Sequence, residues 1–328
     1  MVCGGGRLDE QTWLTTNQEP EVRPGHSRSG SDNRPLAVID IGSNTVRLLV
    51  ALAVDGKLLT LTDQSRFVRL GRGVDASGNL SPDRQQAALV AVRELAAVAQ
   101  GYGARSMVAI ATSAVRDAAN GPEFVSNLRR EAGIAARILT GEEEARLTFL
   151  GASAGIEIRQ VALVCDLGGG STELVAAREQ EVLWGRSLQL GSGRLTELFV
   201  HSDPPAEKER RAIRRHVLEA LRQLPRVRPE ILILTGGTAT HAALLSGLES
   251  GAGELRADAL QQVEERLYTT PSSTVATEAG FGHERAQVLP AGVTALCTMQ
   301  NHFQPSSSVV TRRGLREGAI LDELSRSA

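Results

Sequence analysis

Aromatic side chains are scarce in this 328-residue chain, at 3% of the residues. Stacking on nucleobases is therefore not expected to be a main mode of binding. Lysine is scarcer still, because Lys57 and Lys208 are the only two. A phosphate site here would have to rely on arginine, glycine amides and metal, and the planar arginine fork can grip two phosphate oxygens at once.

The chain also lacks a charge excess and a long apolar run. The net charge of −2 gives no sign of a nucleic-acid or membrane partner. No 18-residue apolar run could span a membrane, and the N-terminus lacks the apolar core of a signal peptide. The three cysteines (Cys3, Cys165 and Cys297) suit neither a zinc site nor a disulfide framework. These absences favour a cytoplasmic protein.

The length is enough for two domains, and a hydrophobic content of 41% is ample for a core. Residues 1–34 have no apolar periodicity and are predicted to be a disordered tail, with a wrongly chosen upstream start codon as the alternative. From Leu36 onward, strands and helices intermingle, which predicts an α/β fold. A recurring strand–glycine pattern further predicts two related halves.

The most informative stretch is Val161–Leu174, in which an apolar strand ends at Asp166 and three glycines follow. Successive glycines allow close approach of a ligand to backbone amides, which can form an anion-binding concavity. Asp166 stands at the strand end, where it could hold a metal or its waters, and Glu173 adds a second carboxylate. A glycine hairpin with chance polar residues is the alternative.

Two further segments repeat this theme and weaken that alternative. In Leu36–Val50 a strand leads to Asp40, a glycine and hydroxyls, and then to another strand. In Ile231–His241 a strand leads to two glycines and a helix, whose N-terminus can face an anion. His241 lies just inside that helix and is expected to be packed or solvated rather than catalytic.

Three consecutive glutamates follow Thr140 and begin a predicted helix. Thr140 and Glu143 fit a capping box, and acidic residues in a first turn suit the helix dipole. These structural roles account for two of the three glutamates and leave Glu144 free to point elsewhere.

The remaining pattern predicts helices over 81–100, 123–132, 141–154, from 194, 205–224, 256–267, 290–302 and 314–324. It predicts strands over 58–61, 106–111, 136–139, 182–190, 231–234 and 308–310. The charged 205–224 helix is expected to be a solvated outer layer, and 308–310 an edge strand.

In this order, the three glycine turns resemble the phosphate and adenosine motifs of the actin, hexokinase and acetate-kinase superfold. More closely, the sequence resembles the exopolyphosphatase and guanosine-pentaphosphate phosphohydrolase family, in colinear order over about residues 35–325. The matching segments are Ile39–Leu48, Ala111–Arg116 with Asn120, Gly141–Arg146, Asp166–Leu174, Thr235–Thr238 and Gly314–Gly318.

The resemblance implies two actin-like (ribonuclease H-like) α/β domains with the active site in the cleft between them. Domain I would comprise 35–140 plus 314–328, and domain II 141–313. Longer members carry an additional helical HD-type domain, and this chain is expected to be the short two-domain form. It departs from many relatives at Thr311-Arg312-Arg313, where they have a Ser-Asp pair; the two arginines either add charge near the cleft or are solvated.

The resemblance also implies that Glu144 activates water and that Glu173 is the second cleft carboxylate. Asp40 and Asp166 are candidate ligands for Mg²⁺, with Mn²⁺ as an alternative, because hard cations prefer oxygen ligands. The predicted phosphate-binding residues are Gly42, Ser43, Asn44, Thr45, Arg47, Arg116, Gly168, Gly169, Gly170, Ser171, Gly236 and Gly237.

Hydrolysis of a phosphoanhydride needs neutralised phosphate charge, an in-line water and a carboxylate that orients it. The sequence therefore predicts an exopolyphosphatase that releases orthophosphate from inorganic polyphosphate. Guanosine penta- or tetraphosphate is a possible second ligand. A homodimer is one alternative for the oligomeric state. A kinase of the same superfold remains an alternative, although the Glu-Glu-Ala-Arg segment speaks against it. A non-catalytic sensor of polyphosphate or of a stringent-response alarmone is the other.

Overall fold

The computed structural model describes residues 34–54, 57–179 and 181–327, so the predicted tail lies almost wholly outside the described residues. The strands are β1 (Leu36–Ile41), β2 (Thr45–Val54), β3 (Lys57–Phe67), β4 (Ser106–Ala111), β5 (Ala136–Ile138), β6 (Val161–Leu167), β7 (Thr172–Arg178), β8 (Glu181–Leu188), β9 (Ile231–Thr235), β10 (Gly253–Glu254) and β11 (Ser307–Val310). The helices are α1 (Val74–Ser77), α2 (Pro82–Gly101), α3 (Ser113–Asp117), α4 (Gly121–Ala132), α5 (Gly141–Ala152), α6 (Ser192–Phe199), α7 (Glu207–Leu221), α8 (Gly236–Leu245), α9 (Ala257–Thr269), α10 (Ser272–Ala279), α11 (His283–Phe303) and α12 (Leu315–Ser327).

The strands form two sheets with the same internal order. The first runs β3-β2-β1-β4-β5, and the second runs β8-β7-β6-β9-β11 with β10 added at the far edge. In both, three consecutive strands pair antiparallel and the next two join in parallel. Parallel neighbours require a crossover connection, which helices provide here. The predictions of an α/β fold and of two related halves are confirmed.

Helix α5 lies between the two sheets and packs on both. Its Leu147 belongs to a buried cluster with Leu36 of β1 and Ile320 of α12. Its Phe149 belongs to a different buried cluster, with Val164 of β6. Because α5 serves both halves, the domain boundary proposed at residue 140 stays a prediction. Helix α12 contacts β1, β2 and α5, so the last helix returns to the first sheet.

Three local expectations are corrected by the tertiary structure. Helix α11 begins at His283 and keeps Pro290 inside it, because packing along its largely buried length outweighs the hydrogen bond that proline removes. Strand β11 is not at the edge, since the two-residue β10 pairs with its outer side. Helix α7 is not only a solvated layer, because Ile213 and Val217 on one of its faces are fully buried.

Candidate active site

The β1–β2 and β6–β7 hairpins turn in the same way at the two sides of one cleft. In the first, the Gly42 amide donates to the Thr45 carbonyl at 3.1 Å; in the second, Gly168 donates to Ser171 at 3.0 Å. Because these two amides close the turns, the donors left for a ligand come from the residues between them. All the predicted site residues except Arg116 line this cleft.

Strand register determines which side chains each hairpin presents. Asp40 pairs across the strands with Arg47, and Asp166 pairs with Glu173. Cross-strand partners project from the same face of a sheet, about 5 Å apart. Each hairpin therefore carries an aspartate beside a second charged group, and β9 adds Thr235 beside Asp166.

The two glycine turns contact each other directly across the cleft. A Cβ on Gly169 would lie 2.6 Å from Asn44 Cγ, and one on Gly170 would lie 2.4 Å from Ser43 Oγ. Both glycines are thus required for the approach of the facing turn. The Asn44 side chain also donates to Ser192 Oγ at 3.3 Å, which ties the first turn to α6.

Glu144 points into the cleft. It is free to do so because its neighbour Glu143 forms the cap of the helix. Thr140 and Glu143 form the predicted capping box, with hydrogen bonds of 3.1 and 2.9 Å. Glu144 is buried, and its carboxylate accepts a hydrogen bond of 2.7 Å from Arg116 Nη1. Burial raises the pKa of Glu144 to about 7; Arg116 opposes the rise, and the charges of Asp40 and Asp166 add to it.

Arg116 lies behind Glu144 rather than on the cleft wall. Its second hydrogen bond, of 3.0 Å, goes to the Leu139 carbonyl. A direct contact of Arg116 with phosphate stays a prediction. Asn120, from the same motif, donates and accepts hydrogen bonds with the backbone of Leu80, and so has a structural role.

Glu173 is the second buried carboxylate of the cleft. Ser187, its cross-strand neighbour on β8, donates a hydrogen bond of 2.7 Å to it. Burial, followed by the charges of Glu144 and Asp166, raises the pKa of Glu173 well above its usual range. Two buried acids therefore face the same space.

Asp40 and Asp166 fit the role of ligands for a hard cation. Burial raises the pKa of both, that of Asp166 to about 6; the charge of Arg47 opposes the rise at each, and the charge of Asp40 adds to it at Asp166. The Oδ1 atom of Asp40 is buried and has no hydrogen-bond partner among the described residues. Over the described ranges, no group of three or more His, Cys, Asp or Glu side chains is arranged to hold a metal. An ion would therefore take its other ligands from water and substrate.

Arg285 of α11 is a cleft residue that the sequence analysis missed, since it belongs to no recognisable motif. Its Nη2 atom donates to Thr45 Oγ1 at 2.9 Å, and its guanidinium lies 4.6 Å from the centre of the Phe67 ring. Burial and the charge of Arg47 lower the pKa of Arg285 to about 9. Neither arginine has a carboxylate ion-pair partner among the described residues.

Both arginines surround the diglycine turn at the start of α8. A Cβ on Gly237 would lie 2.6 Å from Arg47 Nη2 and 3.4 Å from the Arg285 guanidinium. Gly236 has a φ of +87°, and its Cβ would lie 2.3 Å from Asp166 Oδ1. Gly236 therefore requires glycine, whereas a side chain at Gly237 would displace the ends of the two arginines. His241 of this helix packs edge-on against Phe281, in line with the packed alternative, and burial, assisted by Arg285, lowers its pKa to about 3.

The last cleft segment precedes and begins α12. Arg316 is buried and makes a two-pronged ion pair with Asp63 of β3. Of the two arginines that depart from the family pattern, Arg312 lines the cleft, whereas Arg313 donates to the Ala154 carbonyl at 2.9 Å. Arg312 therefore adds positive charge near the cleft, whereas Arg313 does not line it.

Two further findings concern the cysteines and the helices. Cys165 and Cys297 are buried and not joined in a disulfide. Among the helices of the described ranges, none has the length and apolar character needed to cross a membrane.

Comparison with known proteins shows that this chain is similar to one group of enzymes. The sequence model of the Ppx/GppA phosphatase family matches residues 49–327. Exopolyphosphatase 1 of Mycobacterium tuberculosis is 33% identical over 312 residues, which cover 89% of this chain and 89% of the relative. Exopolyphosphatase 2 of the same organism is 37% identical over 229 residues, or 64% of this chain and 70% of the relative.

Solved structures show the same similarity. The Aquifex aeolicus member of the Ppx/GppA family superposes with a TM-score of 0.74 at 29% identity, covering 90% of this chain and 98% of that one. An exopolyphosphatase of Cytophaga hutchinsonii gives a TM-score of 0.82 at 24% identity, covering 88% of this chain and 98% of that one. Because the identity to the Cytophaga hutchinsonii protein is only 24%, that likeness shows a shared fold.

Proposed function

The chain belongs to the Ppx/GppA phosphatase family, has two actin-like α/β domains and is a phosphoanhydride hydrolase; from this premise we propose that it is an exopolyphosphatase. It releases orthophosphate from the end of inorganic polyphosphate. The observation that carries the proposal is the pair Arg47 and Arg285, which face one cleft with a buried acid, Glu144, and form no direct ion pair with a carboxylate among the described residues, although Arg47 lies near Asp40 and Asp166.

Two half-buried guanidiniums repel each other, as the lowered pKa of Arg285 shows, so the pair favours a ligand that brings negative charge. Polyphosphate carries a charge on every unit, and arginine suits its oxygens because the fork can bind two of them. Among the described residues, those that line the cleft include no aromatic side chain on which a base could stack. This favours polyphosphate over guanosine pentaphosphate as the main substrate.

In the proposed reaction, Glu144 accepts a proton from the water that attacks the terminal phosphorus. A water O–P bond forms and the bridging P–O bond breaks, which leaves orthophosphate and a chain shorter by one unit. Arginine charges and the amides of the two turns stabilise the negative charge of the transition state. Glu173, whose charge interacts with that of Glu144, helps to hold the water.

We further propose that Asp40 and Asp166 hold Mg²⁺. The unpartnered Asp40 Oδ1 and the raised pKa values of both acids support a cation at this place. When bound, the ion supplies charge neutralisation at the phosphate oxygens. Full activity in the presence of a chelator would overturn this role.

The decisive test is the substitution Glu144→Gln, which keeps the shape and removes the base. Because general-base catalysis contributes about 100-fold or more, we expect kcat on polyphosphate to fall by at least that factor while the thermal melting temperature is retained. The control is Glu142→Gln, an exposed neighbour in the same helix turn. Unchanged phosphate release in Glu144→Gln would contradict the assignment.

Side-by-side assays on short polyphosphate, long polyphosphate, guanosine pentaphosphate and ATP separate the alternatives. We expect faster phosphate release from polyphosphate than from either nucleotide. Phosphate transfer from ATP to an acceptor would instead indicate a kinase, and tight binding without turnover would indicate a sensor.

A further inference from the structure

Arg194 of α6 joins the two halves of the protein at a single guanidinium. Its Nε atom donates to the Gly170 carbonyl at 2.9 Å, within its own half. Its Nη1 and Nη2 atoms donate to Asp75 at 2.6 Å and to Asp117 at 2.7 Å, both in the first half. Only 11% of the Arg194 side chain is exposed. This arginine therefore links the glycine turn to the opposite wall of the cleft.

Asp117 connects Arg194 to the proposed base. One of its oxygens accepts from Arg194, and the other lies 3.9 Å from Arg116 Nε. Arg116 in turn donates to Glu144 at 2.7 Å. Four charged groups of alternating sign thus form a continuous line from α6 to the carboxylate of α5. Ser113 Oγ also donates to Asp117, at 3.2 Å, and steadies its side chain.

We propose that Arg194 is a positioning residue that makes the orientation of Glu144 depend on closure of the two halves. When the halves are together, Arg194 fixes the Asp117 carboxylate, and its charge at 3.9 Å biases the Arg116 guanidinium, which also donates to the Leu139 carbonyl, towards its position against Glu144. The inference deepens the proposed function, on which its catalytic consequence rests.

Arg194 has a second effect, on the glycine turn itself. In a trans peptide the carbonyl and the following N–H point in opposite directions. By fixing the Gly170 carbonyl, Arg194 also fixes the direction of the Ser171 amide, and Ser171 lines the cleft. One side chain therefore sets both an amide donor and, through Asp117, the base.

Glu197 provides a matched control on the same helix, one turn further along. It accepts a hydrogen bond of 3.0 Å from the Gly73 amide and forms an ion pair of 3.5 Å with Arg69. It therefore also ties α6 to the first half. Among the described residues, Glu197 forms no hydrogen bond or ion pair with Gly170 or Asp117, so it lacks the connection to Glu144.

The kinetic test compares Arg194→Gln and Asp117→Asn with Glu197→Gln on polyphosphate. Misplacement of a catalytic group by about 1 Å costs about 100-fold, so we expect kcat to fall by roughly 10- to 100-fold in the first two variants, with a smaller change in KM. The Glu197→Gln variant should keep kcat within about twofold, because the hydrogen bonds of Arg194 to Asp75 and Asp117 still hold the halves together and the line to the base is untouched. Equal kcat in Arg194→Gln and Glu197→Gln would overturn the proposal.

A structural readout separates this proposal from the proposed function. In a crystal structure of Asp117→Asn, we expect the Arg116 guanidinium to leave the Glu144 carboxylate, whatever substrate the enzyme uses. Retention of the Arg116–Glu144 hydrogen bond would overturn the relay even if the protein is an exopolyphosphatase. If Arg194→Gln does not fold, Asp117→Asn and its control still decide the question. Wild-type protein without activity would instead refute the proposed function.

Discussion

At the scale of single residues, Glu144 shows how surroundings adjust an ordinary carboxyl group to a catalytic task. Burial disfavours its charged form, and the hydrogen bond from Arg116 partly restores it, which leaves a pKa of about 7. A base is most effective when its pKa lies near the working pH, because it is then both deprotonated and able to take a proton. The balance of two opposing effects therefore suits Glu144 to neutral conditions.

This balance predicts the pH dependence of the rate. Only the deprotonated form of Glu144 can act as base, so kcat/KM should rise with pH up to about 7 and then level off. Arg116 lowers the pKa of Glu144, so Arg116→Gln should move the rising limb to higher pH. Arg137→Gln is the control, since Arg137 pairs with Glu143 instead. A flat profile between pH 5 and 8 in the wild type would contradict the prediction.

How much of the site could be predicted residue by residue depended on local signals. Glu144 could be identified because the capping box used its neighbour Glu143 and left it without a structural role. Arg285 carried no such signal, and it reaches Thr45 only through a contact between residues 240 positions apart. A contact that spans the chain leaves no trace in local spacing.

At the scale of elements, the contact between α5 and α12 supports the site from behind. The two helices pack backbone against backbone at two glycines. A Cβ on Gly318 would lie 1.8 Å from the Leu147 carbonyl oxygen, and one on Gly151 would lie 1.9 Å from the Gly314 carbonyl oxygen. Helix α5 carries Glu144 and α12 carries Arg316, so this close packing positions both residues.

Gly318→Ala should therefore be strongly destabilising, because the added methyl group meets backbone that cannot rotate away. Overpacking of this kind costs about 1–3 kcal/mol or more, and we expect the upper part of that range in the free energy of unfolding. Urea denaturation measures the effect. The control is Gly101→Ala at the end of α2, where a Cβ meets open space and alanine should add about 0.5 kcal/mol of stability. Similar stability of Gly318→Ala and wild type would refute the packing argument.

The elements themselves were predictable where their pattern was local. The strand at Ser106–Ala111 and the capped start of α5 agree with the sequence prediction, because each depends on neighbouring residues. The early start of α11 before Pro290 was not predicted, since a local rule places proline at a helix start and tertiary packing overrode it. The short β10 has no local signal, because it exists only by pairing with β11.

At the scale of the whole molecule, the site exists only when the halves meet. Arg47 belongs to the first sheet and Arg285 to a helix of the second half, and both lie beside Gly237. A polyanion bound between them would contact both halves at once. Ligand binding and closure are therefore expected to stabilise each other.

Tripolyphosphate should consequently raise the melting temperature. A ligand that binds only the folded state adds about 2.7 kcal/mol at 100 times its Kd, which corresponds to a rise of about 5 °C in a protein of this size. Differential scanning fluorimetry measures it without reference to turnover. Arg285→Met should lose most of the rise, whereas Arg211→Met, an exposed arginine of α7, should keep it. The same rise in Arg285→Met and wild type would argue against the cross-cleft site.

By itself, the sequence determined the two aspartate–glycine hairpins, the α/β class and the resemblance to one phosphatase family. These features depend on residues that are adjacent or paired across one turn, such as Asp40 with Arg47 and Asp166 with Glu173. Only the tertiary structure decided that the turns contact each other, that Arg285 joins the cleft and that Arg194 reaches Asp117. The physical reason is that these contacts arise from packing one sheet, with its helices, against the other. The relative placement of the two halves depends on buried surfaces drawn from the whole chain.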